Sequence, residues 1–373
     1  ASTEDKRGQI WLYTSPDMVT WAFDSVLYED PNPDTWMAEC PDMFPLGDKW
    51  VLAYCPMGPS VSGYANRNGY NTGYIVGEWA PGQEFVPVRD YTLGDWGRNF
   101  YAPQSFEAPD GRRIQYGWMG AFTHPLASQA QDGWSGQLTL PRELSINDSG
   151  VLLANPIDEI AQRRPATREW EAFALDRHGR LVLADDAQAA EIDIEVDLGG
   201  RGSGQRIDRF GLEVHKTADG AHSYVYYDDL AGCVGVDQRM TFAGERGYRA
   251  VPVSGTALAS GAVLTSGTTP MGGAALANGT APMGGAALVG GTAPANRAVS
   301  AGDNTIRLRI FIDRGSIEVF VGDGEATLSM FSFPGEGPRS IELVTENGPL
   351  AVKRLAFHTL GSMWEAPDRG VGE

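Results

Sequence analysis

Cysteine is scarce in these 373 residues: Cys40, Cys55 and Cys233 form an odd set without C-x-x-C spacing. That excludes a disulfide framework and a cysteine zinc site. A single Cys40–Cys55 bridge is conceivable, and free buried thiols are the reading adopted; the odd count leans toward the cytoplasm. Apolar runs long enough to span a membrane are missing as well. Basic residues are outnumbered, 29 Lys and Arg against 48 Asp and Glu, for a net charge of -19 and a pI near 4.6. Such a surface repels phosphate backbones and anionic lipid, so neither nucleic acid nor a membrane is expected as partner. The five histidines (124, 178, 215, 222 and 358) do not cluster beyond His215 and His222, and no metal or other cofactor is expected. The N-terminal stretch "ASTEDKRGQ" has neither an initiator Met nor the apolar core of a signal peptide.

What is present is strand character. Up to about residue 150, "QIWLYTS", "KWVLAYC", "GYIVGEW" and "RRIQYGWMG" are rich in Trp, Tyr, Val and Ile, and turn clusters such as "PLGD" and "APDG" separate them. Long amphipathic helices are absent. An all-β domain over 1–155 is predicted, followed by a linker over 156–170 containing Pro165. Alternation returns in "EIDIEVDL" and in "TIRLRIFIDRGSIEVFVGDG", which predicts a β-sandwich over 171–362 and a tail over 363–373. A twelve-residue repeat ("GTTPMGGAALAN", "GTAPMGGAALVG") and an uncharged run mark 252–296 as an insert. Its small residues bury too little area to offset chain entropy, so it is read as a loop without chemistry.

One acid stands out. Glu39 lies between "TWMA" and "CPDMF", among Trp36, Met37 and Phe44. Desolvation there would favour the protonated form, which is what a general acid needs to protonate a glycosidic oxygen. The bland alternative is a strand-end Glu paired with an Arg or capping a turn.

The order of motifs bears on that choice. "ECPD" followed by "MFPLGDKWVL" resembles the acid/base motif of glycoside hydrolase family 32, the invertases and the sucrose and fructan hydrolases. "YIVGEWAPGQEFVPV" (74–88), "GDWGRNFYAPQSF" (94–106), "YGWMG" (116–120), "DGWSGQLTLPRELSI" (132–146) and "FIDRGSIEVFVGDGE" (311–325) are similar to later family segments in family order. The resemblance implies the C-terminal part of a five-bladed β-propeller followed by a β-sandwich, acting on β-fructofuranosides such as sucrose. It implies Glu39 as general acid/base and Tyr101 and Trp118 as sugar-contacting aromatics, for which core packing is the alternative. It also puts Asp95 on a loop that either walls the pocket or is purely structural. Asn99 replaces an acidic residue in the family's D-x-G-x-D-F-Y-A segment, and Gly315 departs from D-R-S-S.

Family members are retaining enzymes, which need a second carboxylate. In the family it sits in W-M-N-D-P-N-G, with a third acid in R-D-P, and both precede the acid/base motif. "EDPNP" (29–33) has Pro33 where Gly is wanted, and "VRDY" (88–91) follows Glu39 and has no proline. Neither is accepted. The expectation is an N-terminal truncation in which residues 1–155 supply about three blades, another segment or chain completes the propeller, and this chain alone is inactive. Fructosyl transfer, and carbohydrate binding on a decayed hydrolase scaffold, are the alternatives.

Overall fold

The computed structural model describes residues 1–120, 122, 125–199, 208–253 and 304–363. The repeat insert beyond residue 253 and the tail beyond residue 363 lie outside the described residues. Among the described residues the regular elements are almost all antiparallel strands, as the β-branched and aromatic content favours.

The first half holds β1 (Gln9–Thr14), β2 (Ala22–Glu29), β3 (Met37–Leu46), β4 (Lys49–Met57), β5 (Gly73–Glu78), β6 (Val86–Leu93), β7 (Tyr101–Glu107), β8 (Arg113–Met119), β9 (Gln137–Leu138), β10 (Arg142–Ile146) and β11 (Leu152–Pro156). A single-turn helix, Ala127–Gln131, precedes β9. β1 and β2 form a hairpin, β3-β4-β5-β6 a four-stranded meander, and β7, β8, β10 and β11 a second sheet with β9 on the edge of β8. These are the radially arranged sheets of a β-propeller. β4 runs through the middle of its meander and is buried from Val51 to Pro56, hence the apolar run in its sequence rather than alternation.

The second half is a β-sandwich. Its strands are β12 (Ala166–Trp170), β13 (Phe173–Leu175), β14 (Arg180–Ala184), β15 (Ala190–Asp197), β16 (Arg209–Lys216), β17 (Ser223–Asp228), β18 (Cys233–Asp237), β19 (Tyr248–Pro252), β20 (Thr305–Asp313), β21 (Ser316–Val321), β22 (Ala326–Phe331), β23 (Ser340–Thr345) and β24 (Leu350–Thr359). One sheet runs β12-β24-β15-β20-β21-β22 with β13 beside β24; the other runs β14-β23-β16-β17-β18-β19. Alternation decides which side chains meet between them: Ile192, Ile194 and Val196 of β15 face Leu212, Val214 and Val225 across one aliphatic core. Each such side chain contributes roughly 1.5–3 kcal/mol by burial. Between the halves, Asp158–Arg163 forms a 3-10 turn. The last residues of the 156–170 segment are already β12, paired with β24 from Ala166↔Thr359 to Trp170↔Leu355.

Candidate functional site

β3 would place alternate side chains on opposite faces, but its ladder with β4 skips. Glu39 pairs with Cys55 and the next pair is Asp42 with Ala53, so Cys40 and Pro41 together oppose one residue. Cys40 takes the left-handed backbone at φ 47, the local signature of a bulge. β7 has a matching irregularity: Tyr101 pairs with Trp118, the next pair is Gln104 with Tyr116, and Ala102 also has φ 47. Bulges re-aim side chains, and here the two re-aimed strands face each other.

The consequence is a row of side-chain bonds between β3 and β7. The Tyr101 hydroxyl donates to Glu39 Oε2 at 2.6 Å, Gln104 Nε2 donates to the Cys40 carbonyl at 3.4 Å, and Ser105 Oγ donates to Asp42 Oδ2 at 2.5 Å. Arg113 donates to Ser105 Oγ at 2.8 Å, lies 3.6 Å from Asp42, and covers the Phe44 ring. Burial raises the Asp42 carboxyl above its usual range despite Ser105 and Arg113. Burial, and then the bond to Glu39, push the Tyr101 phenol upward, so it stays a donor across ordinary pH. Among the described residues no protein donor reaches Glu39 Oε1.

Beside this carboxylate lies an aromatic group. Phe122 meets Tyr101 edge-on at 5.3 Å and Trp118 at 4.8 Å between ring centroids, and Tyr70 meets Tyr101 at 5.6 Å and Phe122 at 4.5 Å. The Trp118 ring lies against Gly120 and Gly136; a Cβ on either would come within 2.0 and 2.4 Å of it. Glu39, Tyr101 and Trp118 therefore occupy one place. Tyr70 and Phe122 were not anticipated, because nothing in "GYNTGY" or "MGAFTH" marks them beyond their being aromatic.

Asp95 is elsewhere. It is buried where the propeller sheets meet the sandwich. Its carboxylate accepts from the Gly97 and Ser329 amides, the Thr327 and Ser329 hydroxyls and Arg142 Nη1. Arg142, fully buried on β10, also donates to Glu318 Oε2 at 2.8 Å and lies over the Phe100 ring. Burial raises the Glu318 carboxyl, and Arg142 opposes that rise. Asn99 serves the same junction: its amide donates to the Gly120 carbonyl and accepts from the Phe331 amide, both at 3.0 Å. A carboxylate could not donate the first bond. A cavity of about 300 Å³ opens nearby, lined by Arg98, Asn99, Gln238, Glu245, Phe331 and Phe333 and by none of the Glu39 group.

The two stretches refused as nucleophile motifs are engaged otherwise. Asp30 is buried and accepts from the Tyr54 hydroxyl at 3.0 Å and the Asn32 amide at 2.9 Å. Arg89 donates to the Ser149 carbonyl. Among the described residues no group of three or more His, Cys, Asp or Glu is placed to hold a metal ion.

Comparison with known proteins adds to this geometry. Residues 1–156 match the glycosyl hydrolases family 32 N-terminal domain, and residues 158–359 match the glycosyl hydrolases family 32 C-terminal domain. A sucrose-6-phosphate hydrolase of Escherichia coli is 31% identical over 95% of this chain and 62% of its own length. A raffinose invertase of the same organism is 30% identical over 96% and 61%. Among solved structures, a Bombyx mori GH32 β-fructofuranosidase superimposes with a TM-score of 0.67 at 24% identity, covering 96% of this chain and 61% of the other. An exo-inulinase from Aspergillus awamori gives 0.70 at 18% identity, over 96% and 63%. The chain thus spans about three fifths of the length of the curated relatives it matches.

Proposed function

The chain belongs to glycosyl hydrolase family 32, and on that premise we propose that it carries the acid/base half of a retaining β-fructofuranosidase site acting on sucrose or a short fructo-oligosaccharide. The observation that carries this reading is the 2.6 Å bond from Tyr101 to Glu39 beside the Trp118–Phe122 aromatic group. In this reading Glu39 protonates the leaving glycosidic oxygen and later takes a proton from the attacking water. Tyr101 holds the carboxylate by one oxygen and leaves the other for the substrate. Trp118 offers a flat apolar face to the sugar ring. Asp95 takes no part in this chemistry, because its oxygens are occupied by Arg142, Thr327 and Ser329.

A retaining mechanism needs a nucleophile about 5–5.5 Å from the acid/base. Asp30, Asp34 and Asp42, carboxylates close to Glu39 in sequence, are bound to Tyr54, Ser60 and Ser105. We infer that the second carboxylate comes from further propeller strands docking on the β1–β2 hairpin. That hairpin forms a sheet of two strands and exposes Trp11, Tyr13, Trp21 and Phe23. An aromatic face of this size, on a sheet with unpaired edges, fits a packing surface better than a solvent one. Residues 1–373 alone should then release little or no fructose from sucrose; release at the rate of an ordinary invertase would overturn the inference. In an assembly that contains this chain and cleaves fructosides, Glu39→Gln should lower kcat by roughly 10²–10⁴. Unchanged turnover removes Glu39 from the mechanism. A carbohydrate-binding protein is the second reading, favoured by the aromatic group standing beside a single carboxylate. Titration calorimetry with sucrose and inulin separates them, since binding without turnover in the complete gene product belongs to the second.

A further inference from the structure

The sandwich reaches the Glu39 group through one loop. β4 carries Cys55, the cross-strand partner of Glu39, and ends at Met57; β5 begins at Gly73. Residues 58–72 between them form no strand or helix beyond an isolated bridge, Ser62↔Ala65. Ordered loops of this length are commonly functional. This one brings Tyr70 against the Tyr101 and Phe122 rings, one ring away from Glu39. What fixes its path lies in β19. Arg249 Nε donates to Asn68 Oδ1 at 2.7 Å and Nη2 to the Arg67 carbonyl at 3.0 Å, while Nη1 donates to the Tyr248 carbonyl at 3.0 Å. The planar fork of an arginine, unlike a lysine ammonium, can hold two loop acceptors at once. Burial, and then the neighbouring Arg98, lower the Arg249 guanidinium to about 10, so it remains charged at neutral pH. The Arg67 guanidinium lies over the Tyr64 ring of the loop and the Tyr248 ring of β19, 5.0 and 5.2 Å from their centroids. Asn68 Nδ2 donates in turn to the Gly97 carbonyl at 2.8 Å, and Asn71 Nδ2 to the Asn68 carbonyl at 3.0 Å.

We propose that Arg249 is a positioning residue for the sugar site: from the sandwich it holds the 58–72 loop of the propeller so that Tyr70 lines the site and contacts the bound sugar. The proposal rests on the carbohydrate reading of the Glu39 group. Tyr70 is half-buried and packs on Tyr101, so a sugar seated against Tyr101 and Trp118 comes within its reach. A loop with few backbone bonds of its own has many paths of similar energy, and each bond to a rigid strand removes some of them. The two bonds from Arg249 therefore act on the shape of the site without touching the ligand. By this route the sandwich sets sugar affinity while contributing no group to the chemistry.

Two readouts test it. In the 373-residue chain, trypsin cleavage after Arg67 reports on the loop directly and needs no ligand. Arg249→Met should raise the initial rate of that cut, followed by peptide mapping, by about tenfold or more, with the amide protection of β17 and β18 unchanged. Arg249→Lys, which keeps the charge and loses the fork, should fall between the two. Sucrose affinity is then measured by titration calorimetry on the complete gene product in a Glu39→Gln background, where sucrose is not consumed. Tyr70→Ala and Arg249→Met should each weaken binding roughly fivefold, and the double variant no further. The proposal is overturned if the cut after Arg67 is not accelerated. It is overturned equally if the loop loosens while sucrose affinity stays the same, which would make Arg249 structural only. Losses that add in the double variant overturn it too, because Arg249 would then act by another route. Should Arg249→Met fail to fold, Asn68→Ala removes the Arg249–Asn68 bond from the loop side and is held to the same outcomes. Turnover that persists in the Glu39→Gln background defeats the acid/base reading alone, and the same variants are then compared by KM.

Discussion

Glu39 and Asp95 are both carboxylates in family motifs, and the molecule treats them in opposite ways. Asp95 has no exposed oxygen and accepts five bonds, one from a fully buried arginine. Glu39 is half-buried and, among the described residues, has one side-chain donor, Tyr101. A buried charge with every lone pair satisfied is held in a single state and adds rigidity. A carboxylate with an open oxygen beside an aromatic wall can exchange a proton with something that arrives. The contrast separates a junction from a candidate site more sharply than motif membership does.

The largest effect should follow from breaking the junction. Among the described residues Arg142 is the lone cation paired with Asp95 and Glu318. Arg142→Met would leave two carboxylates buried near each other, and removing one partner of such a network costs about 3–5 kcal/mol. Urea unfolding of the chain measures it. A loss below about 1 kcal/mol would mean that the cluster does not staple the two halves.

How much of this was legible follows from particular residues. That Glu39, Tyr101 and Trp118 lie together was readable because a family motif marks each, and the strand pattern around them was strong enough to give the all-β reading. Arg142 and Glu318 were not readable as partners, since their bond spans 176 positions of chain and arginine is seldom fully buried. One clue was present: in "RELSI" the period of two puts Arg142 on the face of Leu144, an apolar side. The bulge at Cys40 was hidden for a different reason: "ECPD" gives no warning of it except its proline.

A smaller effect sharpens the comparison from within the sandwich. His215 is buried, with Nδ1 2.8 Å from Ser332 Oγ and Nε2 2.7 Å from the Asp313 carbonyl. Burial is the main cause that lowers it from 6.5 to about 4, with the Asp313 carbonyl opposing and Arg339 assisting. The folded state therefore favours the neutral ring. Its stabilisation is complete above the unfolded value of 6.5 and is lost as the pH falls toward about 4, amounting to at most about 3 kcal/mol. Thermal melts across that window should show the decline, and His215→Gln should flatten it. An unchanged slope in the variant would assign the acid sensitivity to other groups.

The smallest expected effect is at the site itself, and it is the one that can undo the contrast. Tyr101→Phe removes a single hydroxyl from Glu39. Because Glu39 is only half-buried, water can take the vacated position, and a bond replaced by water costs little. The expected loss is about 1 kcal/mol or less on unfolding. In a fructoside-cleaving assembly, kcat should fall by roughly tenfold while KM changes little, since an interaction that positions a proton donor matters at the transition state. A destabilisation as large as that of Arg142→Met would show that Glu39 and Tyr101 are a second structural staple, like Asp95 and Arg142. The open oxygen on Glu39 would then be an accident of packing, and the acid/base role would have to be sought on another carboxylate.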